Sequence, residues 1–169
     1  DPPDGIEYAH LLEGNADYRL ADYQSAQDHY TSALQANPGL LDAYYNRALT
    51  HGWLGDIDAA DQDLQALLSR DPGYSYAYVN RGLILLMQAY AEEETAVKTG
   101  LWEAAEEAFT QALATLPPAE AAYAFDIYSN LAVVHYRLGS VAQAKADFER
   151  AVGPNLDCAP VFTSELAQL

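Results

Sequence analysis

Gly14-Asn-Ala-Asp-Tyr-Arg-Leu-Ala-Asp-Tyr-Gln-Ser-Ala26 aligns with Ala48-Leu-Thr-His-Gly-Trp-Leu-Gly-Asp-Ile-Asp-Ala-Ala60, small residue over small residue, and the register carries on to Pro38 over Pro72, an offset of 34. The first small residue recurs at Gly82, one period further, and at Ala132, after 50 residues. The second follows twelve positions later at Ala26 and Ala60, and its later counterparts are Ala105 and Ala144. A fixed period of this size marks stacked helical pairs, none of which buries its apolar face alone.

Between the two small residues sit a turn position, at Ala21, Gly55, Gly100 and Gly139, and an apolar anchor two residues on, at Tyr23, Ile57, Trp102 and Val141. That order reads as a helix stop followed by a restart. The second helix then carries Tyr30, Leu64, Phe109 and Phe148, with Ala33, Leu67, Ala112 and Ala151 three residues on and Leu34, Leu68, Leu113 and Val152 next. The i, i+3, i+4 spacing makes an apolar stripe. Pro38, Pro72 and Pro117 end the first three copies, because proline lacks an amide donor and turns its predecessor away from helix.

Taken together, these positions resemble the tetratricopeptide repeat. The resemblance implies an all-α, right-handed helical-repeat solenoid with four repeats over residues 7–40, 41–74, 75–119 and 125–158. The early aromatic of the family is His10 in the first copy and Tyr44, Tyr78 and Tyr128 in the others. The fourth copy has Leu156 where proline is expected and Pro154 two residues early, so its second helix is expected to end sooner. Residues 1–6 lack periodicity and are expected to form a flexible arm, and 159–169 a C-terminal capping helix in which Val161, Phe162, Leu166 and Leu169 cover the last repeat. One domain is expected.

The third repeat is eleven residues longer than the period, the excess lying between about Gln88 and Thr99. Eleven residues are about three helical turns and nearly restore the helical phase. The expectation is a longer first helix with Glu94 and Lys98 paired at i, i+4, a polar loop being the alternative. Before the fourth repeat, Pro118 suits a first helical turn and is expected to lengthen the following helix backward.

Composition narrows the function. Half of the 169 residues are apolar, but no apolar run approaches the roughly 18 residues that cross a bilayer, so a soluble protein without membrane insertion is expected. With 25 acidic and 8 basic side chains the net charge is −17, which disfavours nucleic acid and anionic membrane and suits a basic protein partner. Residue 1 is Asp and not Met, so a fragment or processed product is expected. The compartment stays open, the cytoplasm being favoured and a removed targeting segment retained as a reading. Cys158 is the single cysteine, so no disulfide closes within the chain.

Nothing in the sequence supports catalysis. It holds no phosphate-cradling glycine loop, zinc-type histidine pair or cysteine cluster, and His10, His29, His51 and His135 are spread over the repeats and read as packing residues. Glu92-Glu93-Glu94 and Glu106-Glu107 are consecutive, so they spread around a helix and do not converge on a metal. No cofactor or metal is expected, and the chain reads as a non-catalytic adaptor.

In the family that the chain resembles, first helices line a concave groove. Carried onto this sequence, that geometry selects Tyr8, Asn15 and Arg19, then Tyr45, Asn46 and Trp53, then Tyr76, Asn80 and Met87, then Asn130, Tyr136 and Arg137. Asn46, Asn80 and Asn130 hold one place in successive repeats and are expected to form a ladder whose amides match a peptide backbone. The resemblance also allows a test for the carboxylate clamp of chaperone-binding members. Asn15 and Asn46 match it, but Leu11 and Tyr76 stand at its lysine places and Asn80 at its arginine place, so that clamp is not expected. The alternatives to groove binding are a self-associating assembly module and the regulatory domain of a larger enzyme.

Overall fold

The computed structural model describes residues 5–152. Among them are eight α-helices and a 3-10 segment, with no strand. Among the described residues, contacts divide the chain into two compact units, one reaching to Ala77 and one starting at Tyr78. A helical repeat touches only its neighbours, so it has no common core to enforce one unit.

Unit one holds α1 (Ile6–Arg19), α2 (Tyr23–Ala36), α3 (Leu41–Leu54) and α4 (Ile57–Leu68). Of the residues expected to form the arm, Ile6 is already helical and Gly5 caps that helix, while 1–4 lie outside the described residues. Both hairpins close alike. The amide of Asp22 donates to the carbonyl of Asp17, and that of Asp56 to His51, each across a left-handed residue, Ala21 at φ 60° and Gly55 at φ 81°. Each aspartate then caps the next helix, accepting the amide of Ser25 or Ala59 at 3.2 Å. The core contains Leu11, Ala26, Tyr30, Ala33, Leu34, Leu40 and Ala43, with Leu64 and Leu67 fully buried on α4. Gly14 is small for a measurable reason: a Cβ there would lie 2.6 Å from the ring of Tyr30.

Polar side chains tie these helices. Arg47 donates twice to Asp63, at 2.8 and 2.7 Å, and once to Thr31 at 3.1 Å, so α3 is fastened to both α4 and α2. The hydrogen bonds it donates to Asp63 hold the guanidinium above its ordinary pKa. His29 bonds Asp17 at 2.8 Å, and His51 lies 3.7 Å from Asp63. These are the same two repeat places with histidine and aspartate exchanged.

Unit two holds most of α5 (Ser75–Ala91), then α6 (Thr95–Thr115), a 3-10 segment (Pro118–Tyr123), α7 (Ala124–Arg137) and α8 (Val141–Val152). Here the structure corrects two expectations. The inserted residues do not simply lengthen the first helix: α5 runs to Ala91, Glu92–Glu94 turn, and α6 starts at Thr95, so Gly100 lies inside a helix and not at a turn. Glu92 makes that turn by accepting the amides of Glu93 and Glu94 at 2.8 and 2.9 Å. Glu94 immediately precedes α6, and its carbonyl accepts the amide of Lys98. Pro118 does start a helical turn, but a 3-10 one, kinked at Glu120, that runs directly into α7 at Ala124.

The core of this unit gathers Leu85, Leu86, Trp102, Phe109, Ile127, Leu131 and Val134. Gly82 admits Phe109 as Gly14 admits Tyr30, with 2.6 Å to a would-be Cβ. His135 bridges Asp147 at 2.7 Å and Glu106 at 3.1 Å, repeating the interhelical pair of unit one. The third repeat fills those places with buried Leu85 and Ala108. The end of the fourth repeat and the capping helix lie outside the described residues.

Candidate peptide-binding site

The end of α1 and the middle of α3 enclose a cavity of about 240 Å³ in unit one, lined by Asn15, Tyr18, Arg19, Tyr30, Asn46 and Leu49. Its floor is a fixed hydrogen-bonded row. Oδ1 of Asn15 accepts the hydroxyl of Tyr30 at 2.9 Å and Nδ2 of Asn46 at 2.8 Å. Those two bonds fix which way the Asn15 amide points, leaving its two amide hydrogens, with the oxygen and second hydrogen of Asn46, as the row's remaining capacity. Burial pushes the Tyr30 phenol up to about 12, with Tyr18 and Asp17 adding to the shift. It stays protonated and donates.

Of the residues selected from sequence, Asn15, Arg19 and Asn46 meet at this cavity. Trp53 stands nearby on α3, 64% exposed, with its Nε1 donating to the Tyr18 hydroxyl at 2.7 Å. Tyr8 is exposed on the first turns of α1, and Tyr45 is half-buried with its ring 5.4 Å from Tyr74. Tyr76 and Asn80 are half-buried and engaged in contacts of their own.

In unit two Met87 and Tyr136 are exposed, while Arg137 packs its guanidinium 5.3 Å over Tyr90, which the extension of α5 supplies. Asn130 turns back to donate to the carbonyl of Asp126 at 2.9 Å. Asn46 and Asn130 therefore occupy equivalent places with different bonds, one across helices and one within its own.

Sequence reasoning missed Tyr30 as a site residue because its place reads as core. The signal was present: that place is Leu64, Phe109 and Phe148 in the other repeats, and only here does it carry a hydroxyl. Among the described residues no group of three or more His, Cys, Asp or Glu is arranged to hold a metal ion, and no helix is long and apolar enough to cross a membrane.

Comparison with known proteins bears on this arrangement. One family model described as tetratricopeptide repeat matches residues 42–74, and a second with the same description matches residues 90–160. The chain belongs to the tetratricopeptide repeat family. This repeat protein is 33% identical over 82 residues to the small glutamine-rich tetratricopeptide repeat-containing protein 2 of Saccharomyces cerevisiae, covering 48% of this chain and 24% of the yeast protein. It thus spans about a quarter of that relative's length.

Among solved structures it is similar to MamA, with TM-score 0.74 and 18% identity over 90% of this chain and 78% of that one. It is also similar to the first TPR of Spaghetti (RPAP3) bound to an HSP90 peptide, with TM-score 0.65 and 20% identity over 79% of this chain and 94% of that one. At these identities the likeness is one of fold, the all-α helical repeat.

Proposed function

We propose that the chain is a non-catalytic adaptor that holds an extended segment of a partner protein at the unit-one cavity. The observation that carries this reading is the Asn15–Asn46 row, two amides locked by a buried tyrosine and open to a cavity. A peptide group offers one donor and one acceptor whatever its side chain, which is what the amide hydrogens of Asn15 and the oxygen of Asn46 complement. The volume, about 240 Å³, lies below the roughly 300–1,000 Å³ usual for small-molecule pockets, so it suits one or two residues of a chain better than a cofactor. The repeat domain of Spaghetti, solved with a peptide, supports the same class of ligand.

Leu11, Tyr76 and Asn80 supply no cation at the clamp places, which leaves Arg19 as the cation lining the cavity. Tyr8 and Trp53, exposed in the same unit, offer further contact area to the partner.

Asn46→Ala is the cleanest probe, because it leaves the Tyr30–Asn15 bond intact. A peptide selected on the wild-type protein from a random phage library is expected to bind this variant about tenfold more weakly, the effect of losing one to two hydrogen bonds, with thermal stability little changed. Equal affinity in a folded variant would move recognition away from the cavity.

A further inference from the structure

Unit one carries an aromatic shelf that the asparagine row does not use. The ring of Trp53 lies 2° from parallel to that of Tyr23, with centroids 5.5 Å apart, and its edge donates to the Tyr18 hydroxyl. Tyr18 closes the corner, edge-on to Tyr23 at 5.5 Å. One contact on a face and one on an edge fix the indole, yet 64% of Trp53 remains exposed. Tyr23 packs against part of one face, and most of the residue's remaining surface is open.

The face of an indole carries a negative quadrupole and is the best of the aromatic platforms for a cation. The chain's own packing uses arginine–ring contacts of this kind on tyrosine. Arginines lie over the rings of Tyr44, Tyr90 and Tyr128 at 4.8, 5.3 and 5.4 Å. Local charge points the same way: residues 5–77 contain eleven carboxylates and three arginines. Of those arginines, Arg47 is committed to Asp63 and Arg70 to Tyr44, while Arg19 lines the cavity.

We propose that the open face of Trp53 receives an arginine side chain of the bound partner, its guanidinium flat on the indole. A planar, weakly hydrated guanidinium suits a flat ring better than a compact ammonium does. The inference rests on the peptide reading of the cavity: the arginine belongs to the segment that Asn15 and Asn46 hold, and Tyr18 is the wall shared by cavity and shelf.

The test uses intrinsic fluorescence, since Trp102 is buried at 4% exposure and Trp53 answers to added ligand. The probes are acetyl-Ser-Gly-Ser-Arg-Ser-Gly-Ser-amide and two counterparts with citrulline or glutamate in place of arginine. Citrulline keeps the shape and removes the charge. The arginine peptide is expected to bind about tenfold more tightly than the citrulline one, an exposed-to-desolvated cation–π contribution, and Trp53→Leu to abolish that difference, read by calorimetry. Equal binding of arginine and citrulline peptides, tighter binding of the glutamate peptide, or no response to arginine overturns the proposal. If Asn46→Ala weakens both peptides alike while arginine and citrulline stay equal, the row stands and the shelf falls. If the arginine preference survives in an Asn46→Ala variant of unchanged affinity, the shelf stands and the row falls.

Discussion

Asp63 is buried at 6% exposure and answers both Arg47 and His51. Removing it strands a guanidinium inside unit one, and truncating one partner of a buried pair is strongly destabilising. Asp63→Ala is expected to lose about 3 kcal/mol in urea unfolding, the low end of that range because Arg47 is partly exposed. Tyr30 and Tyr74 give a second expectation. Burial raises each phenol from 10.0 to about 12, so the neutral form is favoured in the fold. Their contribution is present below pH 10 and is lost as pH rises to about 12. The urea midpoint should fall across that window in the wild type and fall less in the Tyr30→Phe, Tyr74→Phe double variant. At this scale the sequence was only half readable. Asn15 and Asn46 were visible as polar residues on first helices, but the bond between them, and the return of Asn130 to its own helix, depend on side-chain directions that spacing does not encode.

Among the elements, the first hairpin has a flaw that its siblings lack. Gly55 and Gly139 take the left-handed turn position freely, whereas Ala21 holds φ 60° with a Cβ. Ala21→Gly is therefore expected to raise stability by about 0.5–1 kcal/mol, net of the entropy glycine adds to the unfolded chain, and a higher melting temperature would verify it. The helix pairs were legible because two constraints coincide at each crossing: a small residue such as Gly14 or Gly82 and the ring it admits, Tyr30 or Phe109. The insertion was not legible, for the opposite reason. Eleven residues preserve helical phase, so the apolar pattern runs on whether or not the chain breaks, and the break comes from Glu92 binding the two amides after it. Gly100, read as punctuation, is simply tolerated inside α6.

Over the whole molecule, 25 acidic side chains against 8 basic ones make self-repulsion a term in stability. Raising NaCl from about 0.02 M to about 0.5 M should screen it and raise the melting temperature, since the Debye length falls from roughly 20 Å to under 5 Å. A decrease would mean that surface ion pairs outweigh repulsion. The exchange of histidine and aspartate between hairpins matters at this scale as well. If α1 docked on α4, Asp17 would face Asp63, and if α3 docked on α2, His51 would meet His29. Each first helix of unit one thus carries a mark that its own partner answers and the neighbouring hairpin's does not, a lock-and-key register that steers these two look-alike segments away from swapped partners while the chain folds.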